Sequence, residues 1–336
     1  MLEDGVFAVT PSLHRTHDSM LLPMRKEGDE TLLAQELKLI PDLTVKVSEP
    51  LARYTSMKIG GPADLLLEVE TDEALARVLP ALHASGTAVC LLGNGSNVLI
   101  SDRGVRGAVV RLIGDFRKLE WREQGETVWL QAGAAYAVTQ LVRAAARKGY
   151  AGLEFAEGIP GSVGGALVMN AGAYGSEIEK VVEEVLGVTL DGKALRFSRA
   201  EMNFTYRDSN LPAGTVVTHV HLRLRKEEPT EVSSKLRELV AKRKSSQPSG
   251  YPNSGSMFRN PPGDFAGRLI EAAGLKGKRI GQSQISERHG NFIVNLGGAK
   301  AEEVRQLMEL ARAEVRKQSG IELLPEVRLL GEWSTS

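Results

Sequence analysis

The sequence predicts an α+β fold with more than one domain, and three observations support this prediction. The chain has 336 residues, which is more than one hydrophobic core usually spans. Helix and strand patterns are mixed between residues 55 and 150, whereas residues 182–225 alternate like antiparallel strands. The last third of the chain combines amphipathic helix patterns with short apolar strands.

The first 45 residues are predicted to form an irregular, polar extension with one short helix around "TLLAQELKLI". They contain early acidic residues and lack the basic segment and apolar core of a signal peptide. No stretch of the chain approaches 18 uninterrupted apolar residues, so no transmembrane span is expected.

Residues 46–112 contain three strand patterns, "ADLLLEVE", "TAVCLLG" and "AVVRL". Asp72 is predicted to cap a helix that Gly86 ends. The apolar face of that helix consists of Leu75, Val78, Leu79 and Leu82. Pro80 argues against this helix, because a proline in a helix interior removes a backbone hydrogen bond.

Residues 113–228 are predicted to form a second unit. It starts with the strand "TVWLQAG" and a helix whose apolar positions are Val138, Leu141, Val142 and Ala145. A domain boundary is expected near residue 228, before the charged helix "TEVSSKLRELVAKRKSS". The remaining domain, 229–336, is predicted to contain the helices "DFAGRLIEAAGL" and "AEEVRQLMELARAEVRKQ" and the strands "NFIVNLG" and "EVRLLGEW".

Charge and cysteine content exclude some classes of function. Lysine plus arginine and aspartate plus glutamate both number 42, so the net charge is zero, which argues against a nucleic-acid partner. Cys90 is the single cysteine, so the chain can form neither an internal disulfide nor a cysteine metal site, as expected in the cytoplasm. We interpret Cys90 as a small buried apolar residue in a strand.

Two glycine-rich segments, each after a strand, stand out: "LLGNGSNVLISDRG" at 91–104 and "GIPGSVGGALVMNAGAYG" at 158–175. Glycine lets backbone N–H groups approach a phosphate closely. The first segment lacks the third glycine of the dinucleotide fingerprint, and the second has Pro160 where a serine-hydrolase elbow needs glycine. Together they favour an extended ligand that backbone contacts at two places, a shape that FAD has.

Other polar residues are weaker signals when taken singly. His219 and His221 alternate on one face of a strand, but no further ligand lies at a suitable spacing, so no metal site is predicted. Three further residues each suit an ordinary turn or strand end. They are Arg207 in "NFTYRDSN", Ser256 in "YPNSGSMFRNP" and Glu326 in "LLPEVRLLG".

In combination, these segments resemble the UDP-N-acetylenolpyruvoylglucosamine reductase family. The resemblance runs from about residue 50 to 333 and rests on six motifs in the order the family has them. These are "TSMKIGGPAD", "LGNGSNVLISD", "GLEFAEGIPGSVGGALVMNAGAYG", "FTYRDS", "NSGSMFRNP" and "LPEVRLLG". It implies an FAD-binding domain of the vanillyl-alcohol-oxidase (PCMH) type at 46–228, with subdomains at about 46–112 and 113–228, and a small α+β substrate-binding domain at 229–336.

The resemblance also implies a reaction and its catalytic residues. Members reduce an enolpyruvyl nucleotide sugar to UDP-N-acetylmuramate for peptidoglycan synthesis, using NADPH through FAD. Ser256 matches the family's proton donor, and Arg207 and Glu326 match the other two catalytic positions. An ionised Glu326 would repel an enolate, so its pKa is expected to be raised.

Cofactor and substrate contacts are carried over in the same way. Noncovalent FAD is expected on two segments, with Gly93, Asn94, Gly95, Ser96 and Asn97 at the pyrophosphate and Gly158, Ile159, Gly161, Ser162 and Gly165 along the flavin. The candidates for binding the nucleotide-sugar substrate are Arg243, Lys244, Asn253 and Arg259.

One departure and two alternatives stay open. Only 69 residues separate Ser256 from Glu326, so the chain resembles the branch that lacks an inserted subdomain, and the residue that covers the substrate is not identified. The first alternative is another FAD-dependent oxidoreductase of the same superfamily, acting on an alcohol or an aldonolactone. The second is a nonenzymatic binding module for flavin or nucleotide sugar. The sequence does not determine the oligomeric state.

Overall fold

Strand alternation and helical stripes in the N-terminal third produce a five-stranded sheet. The computed structural model describes residues 8–9 and 29–333. The elements of this third are β1 (Ala8–Val9), α1 (Asp29–Leu37), β2 (Leu43–Pro50), β3 (Pro62–Val69), α2 (Asp72–Ala84), β4 (Val89–Leu91), β5 (Val98–Ile100) and β6 (Val105–Leu112). The strand order is β1-β4-β6-β3-β2, with β6 parallel to both β3 and β4.

Both faces of this first sheet are covered because its strands are apolar at successive positions. Leu65 and Leu67 point towards α1 and α2, while Leu66 and Cys90 face a second cluster that includes Leu330 from the end of the chain. Cys90 is buried, as predicted, and burial raises the pKa of its thiol to about 11.

Helix α2 forms despite Pro80, because the predicted stripe Leu75, Val78, Leu79 and Leu82 is fully buried against the sheet. Its cap differs from the prediction. Thr71 is the N-cap and its hydroxyl accepts the Ala74 N–H at 3.2 Å, while Asp72 is already in the first turn.

The predicted extension contains more regular structure than expected. The short helix around residues 31–40 is α1, and β2 starts at Leu43, before the expected domain start at 46. Leu33 and Leu37 of α1 are buried in the core of the first sheet, so this helix is part of that sheet's domain. Most of the extension lies outside the described residues.

A second, antiparallel sheet follows the proposed subdomain boundary. Its order is β13-β12-β14-β8-β7, with β9 also paired to β14. The elements are β7 (Leu119–Gln124), β8 (Thr127–Gly133), α3 (Val138–Arg147), β9 (Tyr150–Ala151), α4 (Val163–Val168), β10 (Gly172–Ala173), β11 (Ser176–Glu177), β12 (Val182–Val188), β13 (Ala194–Ser198) and β14 (Val216–Lys226). Helices α3 and α4 pack on one face of this sheet and form the largest apolar cluster of the described residues.

The last third forms an antiparallel sheet of order β15-β18-β17-β16 with two helices against it. Its elements are α5 (Pro229–Ser246), β15 (Asn253–Ser256), α6 (Ala266–Ala272), β16 (Arg279–Ile280), β17 (Ser283–Ile285), β18 (Phe292–Asn295), α7 (Ala301–Ser319) and β19 (Arg328–Leu330). Strand β19 is not part of this sheet and pairs in parallel with β5, which joins the last third of the chain to the N-terminal third. Across residues 29–333, no helix is both long and apolar enough to cross a membrane.

Candidate active site

A cavity of about 750 Å³ lies where the three sheets meet. Both glycine-rich segments line it, together with Arg207 from the second unit and Ser256 and Glu326 from the last third. The residues predicted at the FAD site are all in its wall: Gly93, Asn94, Gly95, Ser96, Asn97, Gly158, Ile159, Gly161, Ser162 and Gly165. Residues far apart in sequence therefore share one site.

The loop at residues 93–97 is held tightly against the backbone beneath it. Gly95 has φ +61°, and a Cβ there would lie 2.1 Å from the carbonyl oxygen of Tyr54. The Gly95 carbonyl in turn accepts the Ser56 N–H at 2.9 Å. The glycine is needed for this close approach of two backbone segments.

The segment at residues 158–165 packs directly against that loop. The Ser96 hydroxyl donates to the Pro160 carbonyl at 3.1 Å, and a Cβ on Gly93 would lie 2.5 Å from the Ser162 hydroxyl. Ser162 is the N-cap of α4, since its hydroxyl accepts the Gly165 N–H at 3.3 Å. The two segments thus form one continuous wall of backbone and small side chains, which suits an extended dinucleotide such as FAD.

Arg207 and Glu326 form an ion pair in the cavity wall. Arg207 Nε donates to Glu326 Oε1 at 2.9 Å across 119 residues of sequence, and both side chains are largely buried. Arg207 has φ +60° in a tight turn closed by backbone bonds between Thr205 and Asp208. A left-handed conformation is uncommon for arginine and is typical of functional sites.

Burial raises the pKa of the Glu326 carboxyl above its usual value, although the charge of Arg207 and its hydrogen bond act in the opposite direction. The direction agrees with the expectation from the sequence. A carboxyl in this environment retains its proton to a higher pH than an exposed one.

Ser256 is half-buried at the end of β15, beside an irregularity in the sheet. Gly255, directly before it, has φ +76°. Asn253 also lines the cavity, but its side chain shapes the loop: Oδ1 accepts the Gly255 N–H at 3.1 Å, and Nδ2 donates to the Tyr251 carbonyl at 3.0 Å.

The structure brings only one of the three predicted substrate cations to the cavity. Arg243 lines it and donates from Nη1 to the Glu157 carbonyl at 3.0 Å. Lys244, the next residue on α5, points to solvent because successive helical residues differ in direction by about 100°. Arg259 is outside the wall, and its guanidinium lies near Glu326 within the protein.

Arg328 was missed by the sequence analysis. It lines the cavity from β19, and burial lowers the pKa of its guanidinium. Strand alternation could have identified it, since residues two apart lie on one face and Arg328 is two residues after Glu326.

His221 of the histidine pair is hydrogen-bonded within the second sheet. His221 contacts Gln131 Oε1 from Nε2 and Glu184 Oε2 from Nδ1, each at 3.0 Å. Within the described part of the chain, no three His, Cys, Asp or Glu side chains are grouped so that they could hold an ion.

Comparisons with known proteins agree with this geometry. Residues 63–198 match the family model "FAD binding domain", and residues 247–330 match "UDP-N-acetylenolpyruvoylglucosamine reductase, C-terminal domain". These matches fall inside the two proposed domains, and they confirm FAD as the cofactor of this α+β fold.

Curated relatives and a crystal structure extend the match over most of the chain. UDP-N-acetylenolpyruvoylglucosamine reductase 2 of Symbiobacterium thermophilum is 44% identical over 85% of this chain and 92% of its own length. The reductase of Rubrobacter xylanophilus is 46% identical over 85% and 95%. The crystal structure of the Thermus caldophilus reductase is 38% identical, with a TM-score of 0.74 over 86% of this chain and 98% of its own. The chain therefore belongs to the UDP-N-acetylenolpyruvoylglucosamine reductase family.

Proposed function

We propose that this chain reduces UDP-N-acetyl-3-O-(1-carboxyvinyl)-glucosamine to UDP-N-acetylmuramate, a peptidoglycan precursor, with NADPH as reductant and FAD as noncovalent cofactor. The observation that carries the proposal is the Arg207–Glu326 ion pair in the wall of a glycine-lined cavity that Ser256 also lines. The single cysteine supports a cytoplasmic location.

The glycine-lined wall holds the cofactor in this proposal. Backbone N–H groups of residues 93–97 bind the pyrophosphate, and residues 158–165 lie along the flavin. FAD bound along this wall would supply the hydride chemistry, taking the reducing equivalents of NADPH to the β-carbon of the enolpyruvyl double bond.

Arg207 binds the substrate carboxylate. Hydride addition to the CH₂ end of the double bond forms a methyl group and leaves an electron pair on the α-carbon, shared with the carboxylate as an enolate. A guanidinium stabilises this charge by forked hydrogen bonds, and its position in a buried wall strengthens the interaction.

Ser256 donates the proton that completes the reduction. Its hydroxyl protonates the α-carbon, the enolate collapses to the lactyl ether, and water re-protonates the serine. A hydroxyl is a weak acid, but it is acidic enough for a strongly basic enolate carbon.

Glu326, in its protonated form, hydrogen-bonds the enolate. Substrate binding promotes that form for two reasons: the substrate carboxylate competes for Arg207, and it adds a negative charge nearby. Both effects raise the pKa of Glu326 further than burial alone does.

Arg243 and Arg328 are the cations that we assign to the uridine diphosphate, in place of Lys244 and Arg259. Both guanidiniums line the cavity and are desolvated, so an anion gains more from them than from an exposed lysine. Asn253 acts in the same region by shaping the loop.

The two half-reactions test the proposal separately. In anaerobic stopped-flow experiments, Ser256→Ala should leave flavin reduction by NADPH within about twofold of wild type. Reoxidation by the enolpyruvyl substrate should slow about 10²- to 10⁴-fold, the usual contribution of a general acid. Ser249→Ala, an exposed serine in the preceding loop, is the matched control and should change neither rate.

The same experiment distinguishes the alternatives. If Ser256→Ala slows both half-reactions equally, Ser256 is not the proton donor. A reduced flavin that only dioxygen reoxidises would favour an oxidase, and a flavin that NADPH does not bleach would favour a binding module.

A further inference from the structure

Ser256 ends a strand that contains one extra residue. Asn253 pairs with Val294 and Ser256 with Phe292, so three steps along β15 correspond to two steps along β18. Such a bulge turns the following side chain away from the direction that regular pairing would give it. The direction of the Ser256 hydroxyl therefore depends on what holds the bulge.

The chain before the bulge is fixed by the Asn253 turn and by a bond to β5. The Ser254 hydroxyl donates to the Val98 carbonyl at 3.1 Å, which ties β15 to the strand that follows the 93–97 loop. These contacts fix the chain before Ser256 but not after it.

One buried residue, Asn291, makes three hydrogen bonds to residues 257 and 258, and backbone bonds also connect the chain after Ser256 to residues 324–327. The Oδ1 of Asn291 accepts the Phe258 N–H at 2.9 Å and its Nδ2 donates to the Phe258 carbonyl at 2.8 Å. Its own carbonyl accepts the Met257 N–H at 2.9 Å. Asn291 is only 3% exposed, so water cannot easily replace these bonds.

Glu326 is much less dependent on Asn291. Its N–H does bind the Met257 carbonyl at 2.8 Å, but Asn97 Nδ2 also donates to the Glu326 carbonyl at 3.1 Å. Pairing of β19 with β5 begins two residues later, at Arg328. Loss of Asn291 should therefore displace Ser256 more than Glu326.

We propose that Asn291 is a positioning residue that holds the bulge of β15 so that the Ser256 hydroxyl points into the cavity. The inference rests on the proton-donor role proposed for Ser256. Asn291 itself is outside the cavity wall and acts through the backbone of residues 257 and 258.

Asn291→Asp provides a test with an internal rescue. An ionised carboxylate still accepts the Phe258 N–H but repels the Phe258 carbonyl, whereas the protonated acid restores both bonds. We expect reoxidation by substrate to fall about 10- to 100-fold at neutral pH, as for a displacement of about 1 Å, with flavin reduction within about twofold. The loss should shrink as the pH falls. If Asn291→Asp does not fold, Asn291→Ser takes its place. This variant should slow reoxidation by a similar factor, and the loss should be the same at every pH.

Asn295→Asp is the matched control. Asn295 is the last residue of β18, the strand that begins directly after Asn291, and it is 4% exposed. Its amide donates to the Met57 carbonyl at 2.9 Å, not to the backbone of residues 256–258. If this variant slows reoxidation as much as Asn291→Asp does, the effect is general loosening and the inference is wrong.

A double-mutant cycle separates this inference from the proposed function. If Asn291 acts through Ser256, Asn291→Asp should slow reoxidation no further in a Ser256→Ala background. If the rate loss of the double mutant is instead the product of the two single-mutant losses, the inference about Asn291 is wrong, while the proton-donor role of Ser256 stands. A normal reoxidation rate in Ser256→Ala alone would overturn the proposed function itself.

Discussion

Glu326 illustrates how a single residue derives its chemistry from its surroundings. Its carboxyl is 16% exposed and contacts a guanidinium, yet its pKa is raised, because desolvation of the charged form outweighs the attraction of Arg207. Folded Glu326 therefore holds its proton more tightly than the unfolded chain does. Its contribution to stability is full below the unfolded pKa and is lost as the pH rises through the folded pKa.

The same shift predicts the pH dependence of the oxidative half-reaction. If protonated Glu326 assists the enolate, reoxidation by substrate should fall by about tenfold per pH unit above the raised pKa. Glu326→Gln keeps a neutral hydrogen-bonding group and should lose this limb of the profile. Stopped-flow rates across the pH range check this, and a limb that persists in Glu326→Gln would assign it to another group.

For single residues, the sequence indicated which side chains are candidates for the site better than it indicated where each side chain lies. Motif order identified Arg207, Ser256 and Glu326, and the structure places all three at one cavity. Lys244 lies outside the cavity wall, because charge alone does not reveal which side of α5 faces the cavity. Arg328 was not predicted, because its place in the wall depends on β19 pairing with a strand more than 200 residues away.

At the scale of helices, strands and loops, local sequence patterns predicted the elements, but they did not predict which elements contact one another. The apolar stripe of α2 outweighs the hydrogen bond lost at Pro80, which single-residue propensities cannot show. The glycine segments were recognisable as backbone surfaces. Their contact with each other, through Ser96 and Pro160, follows only from the tertiary fold.

Gly95→Ala tests whether the 93–97 loop requires its glycine for close approach as well as for backbone conformation. The methyl group would collide with the Tyr54 carbonyl, so the loop must move and FAD affinity should fall at least about tenfold, or about 1.4 kcal/mol. Gly125→Ala is the matched control, since Gly125 has φ +59° and a Cβ there would meet no neighbouring atom within 4 Å. It should cost about 1 kcal/mol of stability from backbone strain alone, with unchanged FAD affinity.

Titrating the apoprotein with FAD while following flavin fluorescence measures the affinities, and urea unfolding measures the strain. Equal loss of FAD affinity in the two variants would mean that backbone conformation, not the contact with Tyr54, determines the binding.

At the scale of the whole molecule, the site exists because the last third of the chain is attached to the N-terminal third, at and beside β5. The parallel pairing of β19 with β5 and the bond from Asn97 to the Glu326 carbonyl both cross this junction. These contacts join residues far apart in sequence, so no local pattern predicts them. Family resemblance supplied the domain order, but not the contacts between the domains.

Asp102 makes a further contact across this junction, at the start of α7. Its two carboxylate oxygens accept the backbone N–H groups of Ala301 at 2.9 Å and Glu302 at 3.1 Å, so a residue from the turn after β5 caps a helix of the last third. Asp102→Asn keeps the shape but removes the charge and one acceptor. It should lower the free energy of unfolding by about 1 kcal/mol in urea titrations.

Glu73→Gln is the control, because it removes an exposed carboxylate from the first turn of α2, within one domain. It should lower the free energy of unfolding by less than about 0.5 kcal/mol. Equal losses in the two variants would show that Asp102 contributes only general surface charge, and that the junction depends on the strand pairing and the Asn97 amide.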